Sequence, residues 1–292
     1  MSVQSIFQTL YKFFPTSRPR FWIYILGPFL IGIIAAFSSI DSWAMVWDSL
    51  RWSHLWLFLY FTFPANLLIY GINDIFDYET DKLNQKKQDY EKAIAPEQQR
   101  ALWISIIVLN IPFLLLSILP NPYSYLFLFI FCLSAVFYSA PPLRAKAKPV
   151  LDTIISGLIY ISPGFVWYFI SWGTEINWMI WLAGLARSMA MHAYSAIPDI
   201  EADTQSGIQT VATLYGKKGT LIFCMVCYVL AIILSFPAMG WGSLGLGAVY
   251  LVIMALSFRS DVFRIYTYFP WVNTAIGFLL FLTVIALKLW WF

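Results

Sequence analysis

Two short segments of this chain gather carboxylates at the ends of long apolar runs. They are residues 73–81, Asn-Asp-Ile-Phe-Asp-Tyr-Glu-Thr-Asp, and residues 199–203, Asp-Ile-Glu-Ala-Asp. Successive residues of a helix turn by about 100°, so Asp74, Asp77 and Asp81 fall within an arc of roughly 60°. Asp199 and Asp203 fall within roughly 40° in the same way. Each segment therefore predicts carboxylates on one side of a helix.

Carboxylates this close together repel each other unless cations lie between them, and at a membrane their burial costs more. Oxygen ligands suit Mg²⁺, which binds through a few carboxylates, several waters and the phosphates of a substrate. The two acidic motifs therefore predict a diphosphate held by magnesium at a membrane surface. The predicted metal ligands are Asp74, Asp77, Asp81, Asp199 and Asp203.

The composition is that of a polytopic α-helical membrane protein. Of 292 residues, 60 % are hydrophobic and 11 % are charged, and the mean hydropathy is +0.72. Apolar runs of roughly 17–25 residues predict an all-α bundle of about nine transmembrane helices in one domain, 1–292. The predicted spans are 20–38, 55–73, 101–119, 121–139, 151–172, 178–197, 219–237, 240–257 and 269–290. Residues 1–16 precede them and predict a short interfacial helix.

Basic residues predict the orientation of the chain. If the first span starts in the cytoplasm, nearly all lysines and arginines outside the spans lie on that side, and the other side keeps Arg51 and Lys288. We therefore expect a multi-pass protein of the plasma membrane with a cytoplasmic N-terminus and both acidic motifs in the cytoplasm. Nucleic acid is not an expected partner, because the basic residues are interleaved with acids.

Two loops add basic residues beside the acids. Lys86 follows the first motif, where it could contact phosphate or anchor the chain at the membrane. In residues 138–149, two prolines end the fourth span, and we expect them to hold the loop extended so that Arg144, Lys146 and Lys148 point to one side. We expect Arg144 and Lys146 to bind the diphosphate and Lys148 to be an interfacial anchor.

Aromatic residues make up 19 % of the chain, and most of them suit helix packing and interfacial belts. A site from which a diphosphate departs must also tolerate a carbocation, and aromatic faces stabilise cations. The candidates for this role are Tyr138, Tyr160, Tyr194 and Trp167, which the sequence does not rank. Few charged or amide groups lie inside the predicted spans, so we expect an almost wholly apolar interior.

With these residues assembled, the chain resembles the UbiA superfamily of intramembrane prenyltransferases. The resemblance covers the chain from about Ser17 to the C-terminus. It rests on the two acidic motifs, on the loop Tyr138-x-x-Pro-Pro-x-Arg144-x-Lys146, and on Ser17-Arg18-Pro19 before the first span. It implies nine transmembrane helices around a central cavity, with two Mg²⁺ ions bridging the acids to an isoprenyl diphosphate.

The resemblance also implies roles for individual residues. The catalytic residues would be Asp74, Asp77, Asp199 and Asp203. The diphosphate would be bound by Asn73, Lys86, Arg144 and Lys146.

The local sequence is most similar to the lycopene elongase branch of this superfamily, chiefly through residues 192–203. Many members carry an Arg-Pro pair after the first motif, whereas this chain has Ala95-Pro96, which argues against an aromatic acceptor. The branch implies that dimethylallyl diphosphate alkylates lycopene in the biosynthesis of C50-type carotenoids. The resulting cation would lose a proton or take up water.

Two alternatives remain open from the sequence: an aromatic-acceptor prenyltransferase of quinone, chlorophyll or related lipid biosynthesis, and a membrane transporter. Arg187 and His192 lie in or near the end of the sixth span and could face either the cavity or a partner helix. For His192 we favour packing with a hydrogen bond over proton removal.

Overall fold

A computed structural model describes residues 11–78, 94–171 and 173–289. The described residues are helical with connecting turns and contain no β-strand, as the sequence predicts. Short 3₁₀ turns occur at Pro15–Ser17, Pro19–Phe21, Ala145–Ala147 and Ile197–Asp199. The α-helices are α1 Ile23–Ala35, α2 Trp43–Ser49, α3 Trp52–Tyr60, α4 Phe63–Phe76, α5 Pro96–Leu115, α6 Pro122–Ser139, α7 Leu151–Ser171, α8 Trp178–Ala196, α9 Ile200–Gln205, α10 Val211–Met239, α11 Trp241–Arg259, α12 Val262–Tyr266 and α13 Phe269–Leu289.

The predicted count of nine spans is not confirmed. Seven helical segments of the described chain are long and apolar enough to cross a membrane, or eight if the bent pair Tyr11–Ser17 and Pro19–Ala35 is one span. Helix α8 coincides with the sixth predicted span but is not among the seven, and it carries Arg187 and His192. The class, a multi-pass α-helical membrane protein, is as predicted.

The second predicted span is broken by a turn at Phe61 and Thr62. Pro64 at the start of α4 lacks an N–H and cannot donate to the carbonyl oxygen four residues earlier, which interrupts the helix. The Asn66 amide donates to the carbonyl oxygens of Phe61 and Thr62, at 3.0 and 2.7 Å, and so stabilises the turn. Helix α4 begins after this turn, and its far end carries the first acidic motif.

The apolar core has two parts. The larger contains buried residues of α1 and α3–α7, and the smaller contains residues of α8, α10, α11, α12 and α13. Helix α7 packs extensively against α1, α6 and α8 and so joins the two parts. At the end of the bundle that is predicted to face the cytoplasm, the Asp152 carboxylate accepts a hydrogen bond from the Val211 N–H at 3.0 Å. This bond connects the start of α7 to the start of α10.

Helices α1 and α7 approach most closely at two glycines. A Cβ atom at Gly32 would overlap the carbonyl oxygen of Gly164, and one at Gly164 would lie 2.9 Å from the carbonyl oxygen of Pro28. Small residues of this kind allow membrane helices to pack backbone to backbone. The contact fixes α1, and with it the segment just before α1.

We predict that Gly32→Ala destabilises the protein by about 1–3 kcal/mol, because the added methyl must push α1 from α7. Thermal unfolding in detergent measures the effect. Gly27→Ala on the same helix is the matched control, since a Cβ there meets nothing within 4 Å. Equal unfolding temperatures for the two variants would contradict the packing.

Candidate active site

The first acidic motif lies at the C-terminal end of α4. The helix ends at Phe76, and Asp77 closes it by donating its N–H to the carbonyl oxygen of Asn73 at 2.9 Å. The side chains of Asp74 and Asp77 are buried, with 5 % and 3 % of their surface exposed. A buried carboxylate requires a cation or several hydrogen bonds to remain charged.

Each of these carboxylates is paired with a cation from a distant part of the chain. Arg18 contacts Asp74 at 3.1 Å, and Lys146, itself 8 % exposed, forms an ion pair with Asp77. The Asn73 amide donates to both the Asp77 carboxylate and the Ser139 hydroxyl, the latter at 3.1 Å. Two segments far from α4 in sequence, one with Arg18 and one with Ser139 and Lys146, thus converge on the end of α4.

Arg18 is a site residue that reasoning from residue chemistry missed, although Ser17-Arg18-Pro19 was part of the resemblance. It lies between the 3₁₀ turns Pro15–Ser17 and Pro19–Phe21 and has a left-handed backbone conformation, with φ of 51°. Its guanidinium also lies 4.5 Å from the centre of the Tyr70 ring, which is cation–π geometry. The sequence did contain a signal for this role: Pro15 and Pro19 restrict the backbone on either side of Arg18 and so favour a fixed position for its side chain.

The expectation of an extended loop after α6 was wrong. Arg144 has a left-handed conformation with φ of 42° and donates its N–H to the Ala140 carbonyl oxygen at 2.9 Å, and residues Ala145–Ala147 form a 3₁₀ turn. The turn separates the basic residues instead of aligning them: Lys146 is buried on Asp77 and Lys148 is exposed. Arg144 is half-buried, and its Nε atom has no hydrogen-bonding partner among the described residues.

The second acidic motif forms a separate short helix. The 3₁₀ turn Ile197–Asp199 ends α8, and α9 follows at Ile200. Asp199 and Asp203 are half-buried whereas Glu201 is exposed, so the two aspartates lie on the inner side of α9. This agrees with the predicted helical spacing, although the motif lies beyond the end of α8 and not within it.

The end of α6 joins the first motif to α8. The hydroxyl of Ser139, which follows Tyr138, accepts a hydrogen bond from Asn73 at 3.1 Å. The Tyr138 hydroxyl forms a 3.2 Å hydrogen bond with Nε2 of His192 on α8. The ends of α4 and α6 thus meet α8 in one region.

The four aromatic candidates differ in position. Tyr138 and Tyr160 are half-buried, so each keeps some accessible surface. Tyr194 is fully buried and bonded to Ser257 at 2.9 Å, and Trp167 packs against Phe29. Tyr138 and Tyr160 are therefore the two that can face a reacting molecule.

The expectation of an almost wholly apolar interior needs correction. Arg187 on α8 donates to the Tyr250 hydroxyl at 2.7 Å, and Tyr250 donates to the Asn273 side chain at 2.9 Å. The Arg187 guanidinium also lies 5.3 Å from the centre of the Tyr250 ring. A polar chain across α8, α11 and α13 therefore lies within the smaller core.

The donor set of this region fits a hard divalent cation. Buried carboxylates on α4 and half-buried ones beside α9 supply oxygen ligands, and Arg18 and Lys146 already show that Asp74 and Asp77 need positive charge beside them. Within the described ranges, no three acidic, histidine or cysteine residues are close enough to hold an ion by themselves. Mg²⁺ needs only one or two protein carboxylates when phosphate and water complete its shell. Asp81 and Lys86 lie outside the described residues.

A multi-pass helical bundle with buried acids and cations at its helix ends defines an integral membrane protein with a site for an anionic ligand. The model of the UbiA prenyltransferase family matches residues 25–282. The chain belongs to this family, and it is a prenyltransferase. Family membership favours an enzyme over the transporter considered from the sequence.

Curated relatives refine the placement within the family. The chain is 36 % identical over 272 residues to a lycopene elongase/hydratase of Haloarcula japonica, covering 93 % of this chain and 89 % of that protein. It is 31 % identical over 291 residues to a lycopene elongase/hydratase of Corynebacterium glutamicum, covering 93 % and 96 %. The predicted likeness to the lycopene elongase branch is confirmed.

Solved structures share the fold. A UbiA homologue from Archaeoglobus fulgidus, bound to DMAPP and Mg²⁺, superposes with a TM-score of 0.66 at 19 % identity, over 94 % of this chain and 99 % of that one. An apo UbiA homologue from Aeropyrum pernix K1 superposes with a TM-score of 0.69 at 16 % identity, over 92 % and 98 %.

We predict that Lys146→Met lowers prenyl transfer about 100-fold, because it removes a buried positive charge beside the carboxylates of the site. Transfer of labelled prenyl groups by purified protein measures this. Lys148→Met, two residues away and exposed, should retain near-normal activity. Wild-type activity of Lys146→Met at dilute donor would show that Lys146 is not part of the site.

Proposed function

We propose that this enzyme transfers a dimethylallyl group from its diphosphate to an end of lycopene, in the biosynthesis of C50-type carotenoids. The observation that carries the proposal is the pairing of Asp74 with Arg18 and of Asp77 with Lys146 at the end of α4, where the end of α6 with Tyr138 adjoins it. Relatives at 31–36 % identity that are named lycopene elongase/hydratase support the acceptor.

The metal site of the proposal uses both acidic motifs. Asp74, Asp77 and Asp81 would hold one Mg²⁺ ion, and Asp199 and Asp203 would hold a second. Bound there, the ions would stabilise the negative charge that develops on the departing diphosphate. The A. fulgidus homologue, which is bound to DMAPP and Mg²⁺, supports a prenyl diphosphate and magnesium as the bound molecules.

The chain's own residues bind the donor and protect the cation. Lys146 and Arg144 contact phosphate oxygens. Because Lys146 is buried and water is excluded around it, its attraction to the phosphate is stronger than it would be at the surface. Lys86 adds a further positive charge. Asn73 holds the Asp77 carboxylate in place through its amide. Tyr138 and Tyr160 present their faces to the allylic cation until the acceptor's double bond attacks it.

We place the protein in the plasma membrane with its N-terminus and site in the cytoplasm. The basic residues support this orientation: Arg18, Arg144 and Lys146 lie at the same end of the bundle as both acidic motifs, and Arg51 and Lys288 lie at the other. Isoprenyl diphosphates, which are made in the cytoplasm, would then reach the site directly.

A second acceptor class has one observation in its favour. The Arg187–Tyr250–Asn273 chain could recognise an oxygen-bearing ring, as an aromatic-acceptor prenyltransferase of quinone or related lipid biosynthesis requires. We rank it second, because the guanidinium is already engaged by the hydroxyl and ring of Tyr250.

We predict that Asp77→Asn and Asp199→Asn each abolish prenyl transfer while the protein remains folded and membrane-inserted. The amide keeps the shape of the side chain but removes the charge that would hold Mg²⁺. A chelator should abolish wild-type activity, and added Mg²⁺ should restore it. Full activity of either variant, or full activity in the chelator, would refute the magnesium site.

We predict that a lycopene-accumulating bacterium producing this chain makes carotenoids heavier by one or two five-carbon units, with or without added water. Mass spectrometry of pigment extracts measures this, and cells producing Asp77→Asn are the control. Unchanged lycopene together with prenylation of a supplied aromatic acid would favour the second acceptor class.

A further inference from the structure

The hydrogen bond between Tyr138 and His192 has no role in the transfer of the prenyl group described above. The Tyr138 hydroxyl and Nε2 of His192 are 3.2 Å apart, and the two rings meet edge to face with centroids 5.7 Å apart. Among the described residues, the ring of His192 has no other hydrogen-bonding partner, so Nδ1 is available to a ligand. The pair joins α6 to α8 beside the acidic motifs.

Both residues of the pair keep accessible surface, because each is only half-buried. Tyr138 is next to Ser139, whose hydroxyl accepts a hydrogen bond from the Asn73 amide, so the pair lies beside the first acidic motif. A histidine that only stabilised packing would not need accessible surface there.

The proposed transfer leaves a positive charge that some group must remove. When the double bond of the acceptor attacks the allylic cation, a tertiary carbocation forms on the acceptor. It can lose a proton to give an alkene, or water can add to give an alcohol. Arg187, another polar group of the interior, is always protonated and cannot accept a proton in either case.

We propose that His192 and Tyr138 hold and deprotonate the water that adds to this tertiary carbocation, so that the enzyme releases a hydroxylated product. This rests on the proposed function. The water oxygen forms the new C–O bond and its proton passes to Nδ1 of His192. The Nε2 proton passes to the Tyr138 oxygen, and the Tyr138 proton passes to an oxygen of the released diphosphate. The hydroxyl thus returns to its starting state. The imidazole is left neutral with its proton on Nδ1, and proton exchange with water restores the Nε2–H form before the next turnover.

The ratio of hydroxylated to alkene product tests the assignment, because a purely structural role would lower both products together. In the lycopene-accumulating host, we expect His192→Phe and Tyr138→Phe to lower the hydroxylated share at least about tenfold. Total prenylated carotenoid should persist in His192→Phe, now as alkene. Tyr138→Phe is judged by the product ratio alone, because the Tyr138 ring also faces the allylic cation. Tyr194→Phe is the control, since that hydroxyl is on α8 but bonds Ser257 in the core, and its product ratio should be unchanged.

His192→Gln guards against a folding defect. Its amide can keep a hydrogen bond to Tyr138 but cannot accept a proton, so it should also shift the product to alkene. A wild-type product ratio in His192→Gln or in Tyr138→Phe would overturn the assignment, as would a wild-type enzyme that releases alkene alone. A wild-type enzyme that makes no prenylated carotenoid would instead count against the proposed function.

Discussion

The structure depends on keeping two carboxylates charged inside a membrane protein. Removing a carboxylate from water costs several kcal/mol unless a cation lies beside it. Asp74 and Asp77 meet this requirement with Arg18 and Lys146, which come from the N-terminal segment and from the loop after α6. Breaking either pair by removing the cation would leave a buried charge, so the pairs constrain segments that the apolar core alone would not position.

The same constraint explains the helix ends. Helix α4 begins after the turn at Phe61 and Thr62, where the Asn66 amide donates to both carbonyl oxygens, and the last turn of α4 meets the basic segments. The 3₁₀ turn at Ala145–Ala147 buries Lys146 and turns Lys148 outward. Gly32 and Gly164 fix α1 against α7, and hence also the segment that carries Arg18. Packing and ion pairing therefore define one site together.

The class, the helices and the acidic motifs were predictable because each depends on local patterns: apolar run length and carboxylate spacing. The loop at residues 140–148 was not, since a left-handed backbone at Arg144 is uncommon for a residue other than glycine and neither proline dictates it. Arg18 was missed because an arginine near a span also fits a membrane anchor. The four aromatics could not be ranked, because Tyr194 and Tyr138 differ only in what surrounds them. The hydrogen-bonding partners of Arg187 could not be predicted, because Tyr250 and Asn273 lie on two other helices.

A reaction through a carbocation needs water kept out while the cation forms and one water admitted at the end. The proposed site has groups for both needs. Arg18 and Lys146 pair with Asp74 and Asp77 where the diphosphate would bind. Tyr138 and His192 form a hydrogen-bonded polar pair beside them. A lone polar pair can hold one water and orient it, whereas a larger polar surface would hydrate the allylic cation before the acceptor arrives.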